Sequence, residues 1–133
     1  MALIRSTWTS EGKSSMKYMI LIYDNPDTRE VMAGPEGAEL MSELDALMKE
    51  ISDSGELVAG EALAEPSKTR TVRVRDGLPA VTDGPFIEAK EHMGGYLIVD
   101  VETEERATEI AGRWPNARFC AMEVRPIMST PGD

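Results

Sequence analysis

Asp83-Gly84-Pro85-Phe86 is the stretch of this chain where residue type and spacing most readily suggest chemistry. An aspartate that opens an Asp-Gly-Pro turn accepts bonds from backbone N–H groups two residues on, a turn-holding job. Held at the mouth of a cavity with a raised pKa, the same Asp83 carboxylate serves as a general acid or base. Phe86 beside it reads as a pocket wall or as simple packing. Glu88, Lys90 and Glu91 form a charged, solvated segment in which Lys90 offers an anchor for an anionic ligand. Just upstream, Lys68, Arg70, Arg73 and Arg75 place four bases and no acid within 68–75, whereas 24–65 holds twelve acids and two bases. The plain reading pairs this cluster with an acidic helix, within the chain or across a dimer. The chemical reading is a carboxylate or phosphate site, which arginine suits, with Arg73 at its centre. Tyr23, Glu61 and Tyr96 fall at or in strands, where they either point into a barrel cavity or serve as plain core or rim.

Several chemistries lack their parts. One histidine, His92, and one cysteine, Cys120, stand far apart without ligand spacing, so zinc and haem sites are not expected and no cofactor is implied. No EF-hand, P-loop or GxGxxG pattern occurs. Serine-histidine-aspartate catalysis would depend wholly on His92. Cys120 lies in an apolar, strand-like run and reads as a small buried hydrophobe; an unpaired cysteine fits a reducing compartment. A net charge of -10 disfavours nucleic acid and anionic membrane as partners. No apolar run reaches the roughly 18 residues of a membrane span. The first fifteen residues make an unconvincing signal peptide, so a cytoplasmic location is the expectation.

The elements that must position these residues can be read from periodicity. Residues 1–15 are polar and read as a flexible tail, 16–128 as one domain, and 129–133 as a second tail. Lys17–Tyr23 is an apolar strand closed by Asp24-Asn25-Pro26. Gly34-Pro35-Glu36 starts a helix with proline in its first position. Leu40, Leu44, Leu47, Met48 and Ile51 give that helix one apolar face, and Gly55 stops it. Glu56–Leu63 is a second strand. Thr69–Arg75 and Leu78–Thr82 form a hairpin about Asp76-Gly77, a type I′ signal. Gly95–Val101 is a third long strand. Thr103 caps a second helix that Pro115 ends. Phe119–Val124 is the last strand.

Without the hairpin the order is β-α-β-β-α-β, the ferredoxin-like arrangement of an α+β protein. Two helices cover one face of such a sheet. Yet Met19–Ile22 and Tyr96–Val99 are apolar on both faces. Four strands of about six residues present on the order of 400 Å² of uncovered face. The expectation is a homodimer joined sheet to sheet; the alternative is that the hairpin and N-terminal tail fold over that face.

The segments MKYMILIY (16–23), SGELVAGEAL (54–63), VTDGPFIEAKE (81–91), GGYLIVDVET (94–103), EIAGRWP (109–115) and EVRPIM (123–128) together resemble the YCII-related family, in its DGPF branch. The resemblance implies a dimeric α/β barrel, in whose cavity small enzymes of the wider superfamily work, and members that neighbour or join extracytoplasmic-function sigma factors. The YciI branch carries a histidine–aspartate pair. This chain departs from it: His92 follows the DGPF turn, and the loop after the first strand reads Asp24-Asn25-Pro26-Asp27-Thr28-Arg29. Three functions stand: a homodimeric small-molecule binding module with a regulatory role, a cofactor-free isomerase or lyase with Asp83 as proton carrier, and an interaction dimer without catalysis.

Overall fold

The computed structural model describes residues 6–8 and 14–132. Its main sheet is built from β1 (Ser6–Trp8), β2 (Ser14–Asp24), β3 (Leu57–Ala62), β6 (His92–Val101) and β7 (Ala121–Pro126). Strand β2 lies between β6 and β7, and β6 between β2 and β3, every pair antiparallel. Helices α1 (Pro26–Ala33), α2 (Gly37–Asp53), α3 (Glu104–Arg113) and α4 (Asn116–Phe119) complete a mixed α+β fold compatible with the ferredoxin-like class. Strand β1 continues the sheet by pairing Ser6 through Trp8 with Met16 through Ser14, so part of the segment before Met16 is strand.

One face of this sheet forms the core. Tyr18, Ile20, Leu97, Val99 and Val101 are buried against Leu47 and Ile51 of α2 and Ala107, Ile110 and Ala111 of α3. Alternation puts Met19, Leu21, Tyr96 and Ile98 on the opposite face, where they stay half-buried. The register joins them into two cross-strand rows, Ala59–Ile98–Met19–Arg125 and Glu61–Tyr96–Leu21–Glu123.

The hairpin of β4 (Arg70–Arg75) and β5 (Leu78–Asp83) is a separate two-stranded ribbon. Asp76 at φ 52° and Gly77 at φ 77° make the turn that the dipeptide predicts. Apart from half-buried Thr71, every residue of both strands is exposed, including Val72, Val74 and Val81. The ribbon therefore does not serve as a cover for the open face.

Strands β2 and β6 begin three residues earlier than the sequence reading has them, and three further boundaries differ in kind. Asp24-Asn25-Pro26 begins a helix as well as ending a strand: Asn25 Oδ1 accepts from the Thr28 amide at 2.7 Å and the Thr28 hydroxyl at 2.8 Å, and Pro26 takes the first helical turn. Helix α2 starts at Gly37, just beyond the Gly-Pro-Glu signal, because residues 34–36 form the turn that joins it to α1, closed by the Gly37 amide on the Gly34 carbonyl at 3.1 Å. A Cβ on Gly37 would collide with the Met32 carbonyl, so glycine lets the two helices meet. Phe119 and Cys120 belong to α4 and its end, and β7 begins at Ala121; an apolar run alone does not separate a buried strand from a helical turn.

Among the described residues the basic cluster of the ribbon does not pair with the acidic helix. Cations from α3 and α4 do so instead. Arg106 donates to both Glu56 oxygens at 2.8 Å and to Glu50 at 3.0 Å, Arg113 reaches Glu50 at 2.7 Å, and Arg118 reaches Glu43 at 2.6 Å. These bonds hold the Glu50 carboxyl down at about 2, Arg113 contributing most.

Candidate functional site

A recess of about 740 Å³ opens between the helices and the ends of β2, β3 and β6, within the usual size range of small-molecule sites. Ile22, Leu97 and the glycines Gly60, Gly94 and Gly95 line its sheet side. Leu44 and Met48 of α2 line it on the helical side, with Trp114 from the end of α3 and Asn116 from the start of α4. Arg29, Met32 and Ala33 lie on one face of α1, three and four residues apart, and supply the remaining wall.

Asp24 is the charged group fixed most firmly within this recess. Asn116, 8% exposed, donates from Nδ2 to Asp24 Oδ1 at 2.7 Å and to the Tyr23 carbonyl at 2.9 Å. A Cβ on Gly94 would collide with Asp24 Oδ2, so the missing side chain makes the space the carboxylate occupies. The β2–β6 register shifts beside this point, between Ile22 and Tyr23, leaving Gly94 outside the paired ladder. Asn25 Nδ2 ties the cap to the Phe119 carbonyl at 3.2 Å, joining the start of α1 to α4. Among the described residues neither Asp24 nor Arg29 takes part in an ion pair. A half-buried, oriented carboxylate in an apolar recess accepts hydrogen bonds from an ammonium or hydroxyl group.

The residues singled out in the sequence fall into three places. Asp83 ends β5 with its side chain 89% exposed, and its nearest cation is Arg70 at 3.7 Å. The turn that follows is tied by the Gly84 amide to the Thr69 carbonyl and by the Thr71 hydroxyl to the Gly84 carbonyl, both at 2.7 Å. Phe86 is 67% exposed, with the Arg73 guanidinium 5.2 Å from its ring centre. Lys90 is exposed as well. None of these borders the recess of Asp24.

Tyr23, Glu61 and Tyr96 form a second group. Glu61 and Tyr96 border the sheet side of the recess, but the register sets their side chains with Leu21 and Glu123 on the open face. Glu123 accepts a bond from the Tyr23 phenol, which raises the phenol's pKa, with burial adding to the shift.

His92 and Cys120 make the third. His92 opens β6 opposite Asp24 in the register, yet it lines a smaller recess of about 350 Å³ with Leu63, Lys68 and Pro85. Cys120 is half-buried, its Sγ 3.4 Å from Glu91 Oε2. Burial and then Glu91 push the thiol pKa up, which makes it a poor nucleophile. Among the described residues no group of three potential metal ligands gathers, and no helix is long and apolar enough to cross a membrane.

Sequence reading passed over Asp24, Arg29 and Asn116. Asp24-Asn25-Pro26 carried a usable signal, since an Asn-Pro pair after an apolar strand is a helix start with an aspartate just outside it. The YCII-related domain matches residues 16–130, a span that holds β2 from Met16 on, the four α-helices, the ribbon and β7. This chain belongs to the YCII-related family. An uncharacterised protein of Rhizobium meliloti (strain 1021) is 28% identical over 121 residues, covering 89% of this chain and 98% of that one. Every group that fixes Asp24 in this YCII-related chain, from Asn25 to Gly94 and Asn116, lies inside the matched span.

Proposed function

We propose that this YCII-related protein is a homodimeric small-molecule binding module whose ligand site is the recess beside α1, and that ligand binding serves a regulatory role. The observation that carries the reading is the Asp24 carboxylate, oriented by Asn116 and given room by Gly94 within a recess walled by Leu44, Met48 and Trp114. Apolar walls with a few fixed polar atoms are what a small organic ligand needs for affinity and orientation. Binding is favoured over turnover because His92, a natural proton partner for Asp24, opens into the other recess.

Support for the homodimer comes from the open face. Met19, Leu21, Tyr96 and Ile98 form an apolar centre, and the strands around it carry Lys17, Arg125, Asp100, Glu61 and Glu123. Two copies related by a two-fold axis present the same patch to each other, and a border of mixed sign can then set unlike charges together. The open face offers on the order of 400 Å², while a stable interface buries about 800 Å² per partner. The exposed apolar residues of the ribbon are the natural supplement to that area.

A thermal-shift screen of metabolites tests the binding site, since a ligand taken only by the folded state raises the unfolding midpoint. Ala33→Trp at the end of α1 should plug the recess and abolish the shift while leaving the unliganded midpoint in place. A screen that never moves the wild-type midpoint, or a shift that Ala33→Trp leaves unchanged, overturns the assignment.

A further inference from the structure

The recess holds charges of both signs, and neither is neutralised by an ion pair among the described residues. Asp24 Oδ1 takes one bond from Asn116, an uncharged donor, and Oδ2 lies over Gly94. A half-buried carboxylate that, among the described residues, is served only by an amide remains a strong acceptor for a cation. Arg29 stands in the first turn of α1, its amide donating to the Asn25 carbonyl at 3.2 Å, and it borders the same recess as Asp24. Its guanidinium is a planar fork of donors suited to a carboxylate. The walls of Leu44, Met48 and Trp114 carry no formal charge and offer surface for an apolar group.

Resting on the binding reading above, we propose that the ligand is a zwitterion with an apolar body, an α-amino acid with a large apolar side chain in its simplest form. Asp24 takes the ammonium, Arg29 takes the carboxylate, and Leu44, Met48 and Trp114 receive the side chain. A simple acid pairs with Arg29 but leaves Asp24 without a counter-charge. A simple amine leaves Arg29 without a counter-charge.

Three probes with one ring and different charges test this on the full chain by calorimetry: L-phenylalanine, 2-phenylethylamine and 3-phenylpropanoate. L-phenylalanine is expected to bind about tenfold more tightly than either of the others, the worth of one charge-assisted hydrogen bond. Asp24→Asn keeps an oxygen for Asn116 and removes only the charge. It should weaken L-phenylalanine and 2-phenylethylamine by about tenfold and leave 3-phenylpropanoate no weaker. Arg29→Gln should weaken L-phenylalanine and 3-phenylpropanoate and spare the amine. A merely structural role for either residue would lower all three affinities alike. Equal affinity for the three probes, or a uniform loss in either variant, overturns the assignment. Benzyl alcohol separates this failure from the wider one: if it binds, Ala33→Trp blocks it and L-phenylalanine gains nothing over it, only the charge assignment falls. If none of the four probes binds, the zwitterion proposal falls, and the metabolite screen alone decides whether the recess is a ligand site.

Discussion

The two faces of the main sheet are built from alternate residues of the same strands, yet they have opposite fates. Ile20, Leu97 and Val99 are sealed beneath α2 and α3, whereas Met19, Leu21 and Ile98, their immediate neighbours in sequence, are covered by no helix. Composition does not distinguish the two faces at their centres. What differs is the supply of helix, and helices placed on one side leave the other face for a partner. The Asp24 recess lies on the covered side, where packing holds its walls. Tyr23, Glu61 and Tyr96 lie on the side that the proposed dimer closes.

The largest expected effect comes from breaking the covered face. Ile20→Ala should cost about 3 to 4 kcal/mol in urea unfolding, because the removed atoms leave a cavity among packed neighbours. Leu21→Ala, one residue along, should cost under about 1 kcal/mol in the protomer. Equal costs at the two positions would show that both faces are packed alike. Next comes the ionic lacing of the helical side. Arg106→Gln should cost about 2 kcal/mol, since it strips charged donors from Glu56, a pair whose side chains are 24% and 18% exposed. The pH dependence has a defined sign. Glu50 ionises at about 2 in the folded chain, well below its ordinary value. Its stabilising share is therefore complete above the ordinary carboxylate range and fades as pH falls through that range toward 2. The difference between wild type and Arg106→Gln should shrink over the same interval; a difference independent of pH would deny the lacing. Ile98→Lys should disturb the protomer least of all. It should leave the far-ultraviolet spectrum intact and convert a dimer to a monomer in sedimentation. A wild-type chain that is already monomeric at micromolar concentration removes the second copy from the proposal.

The elements with strong periodicity were legible. The β-α-β-β-α-β order, the apolar stripe of α2, the Thr103 cap and the Asp76-Gly77 turn follow from short-range rules, and the structure contains each of them. Helix α1 was legible only through its Asn25-Pro26 start, not through periodicity, because only Thr28 among its residues is buried and eight residues without an apolar stripe show little of it. The Asp24 site was harder still. Its partners sit at 94 and 116, so its character comes from chain segments that only the fold brings together. Asp83 attracted notice through its neighbours in sequence, but the ribbon carries it into solvent.

That ribbon divides the molecule thermodynamically. A two-stranded hairpin without a packed face is marginal in water, so its amide hydrogens should be replaced by deuterium through local fraying, while those of β2 and β6 wait for global opening. Denaturant strong enough to melt β4 and β5 need not disturb the rest of the chain. A surface that settled on the ribbon would slow its exchange, so deuterium uptake there reports contact with a partner while the main sheet stays silent.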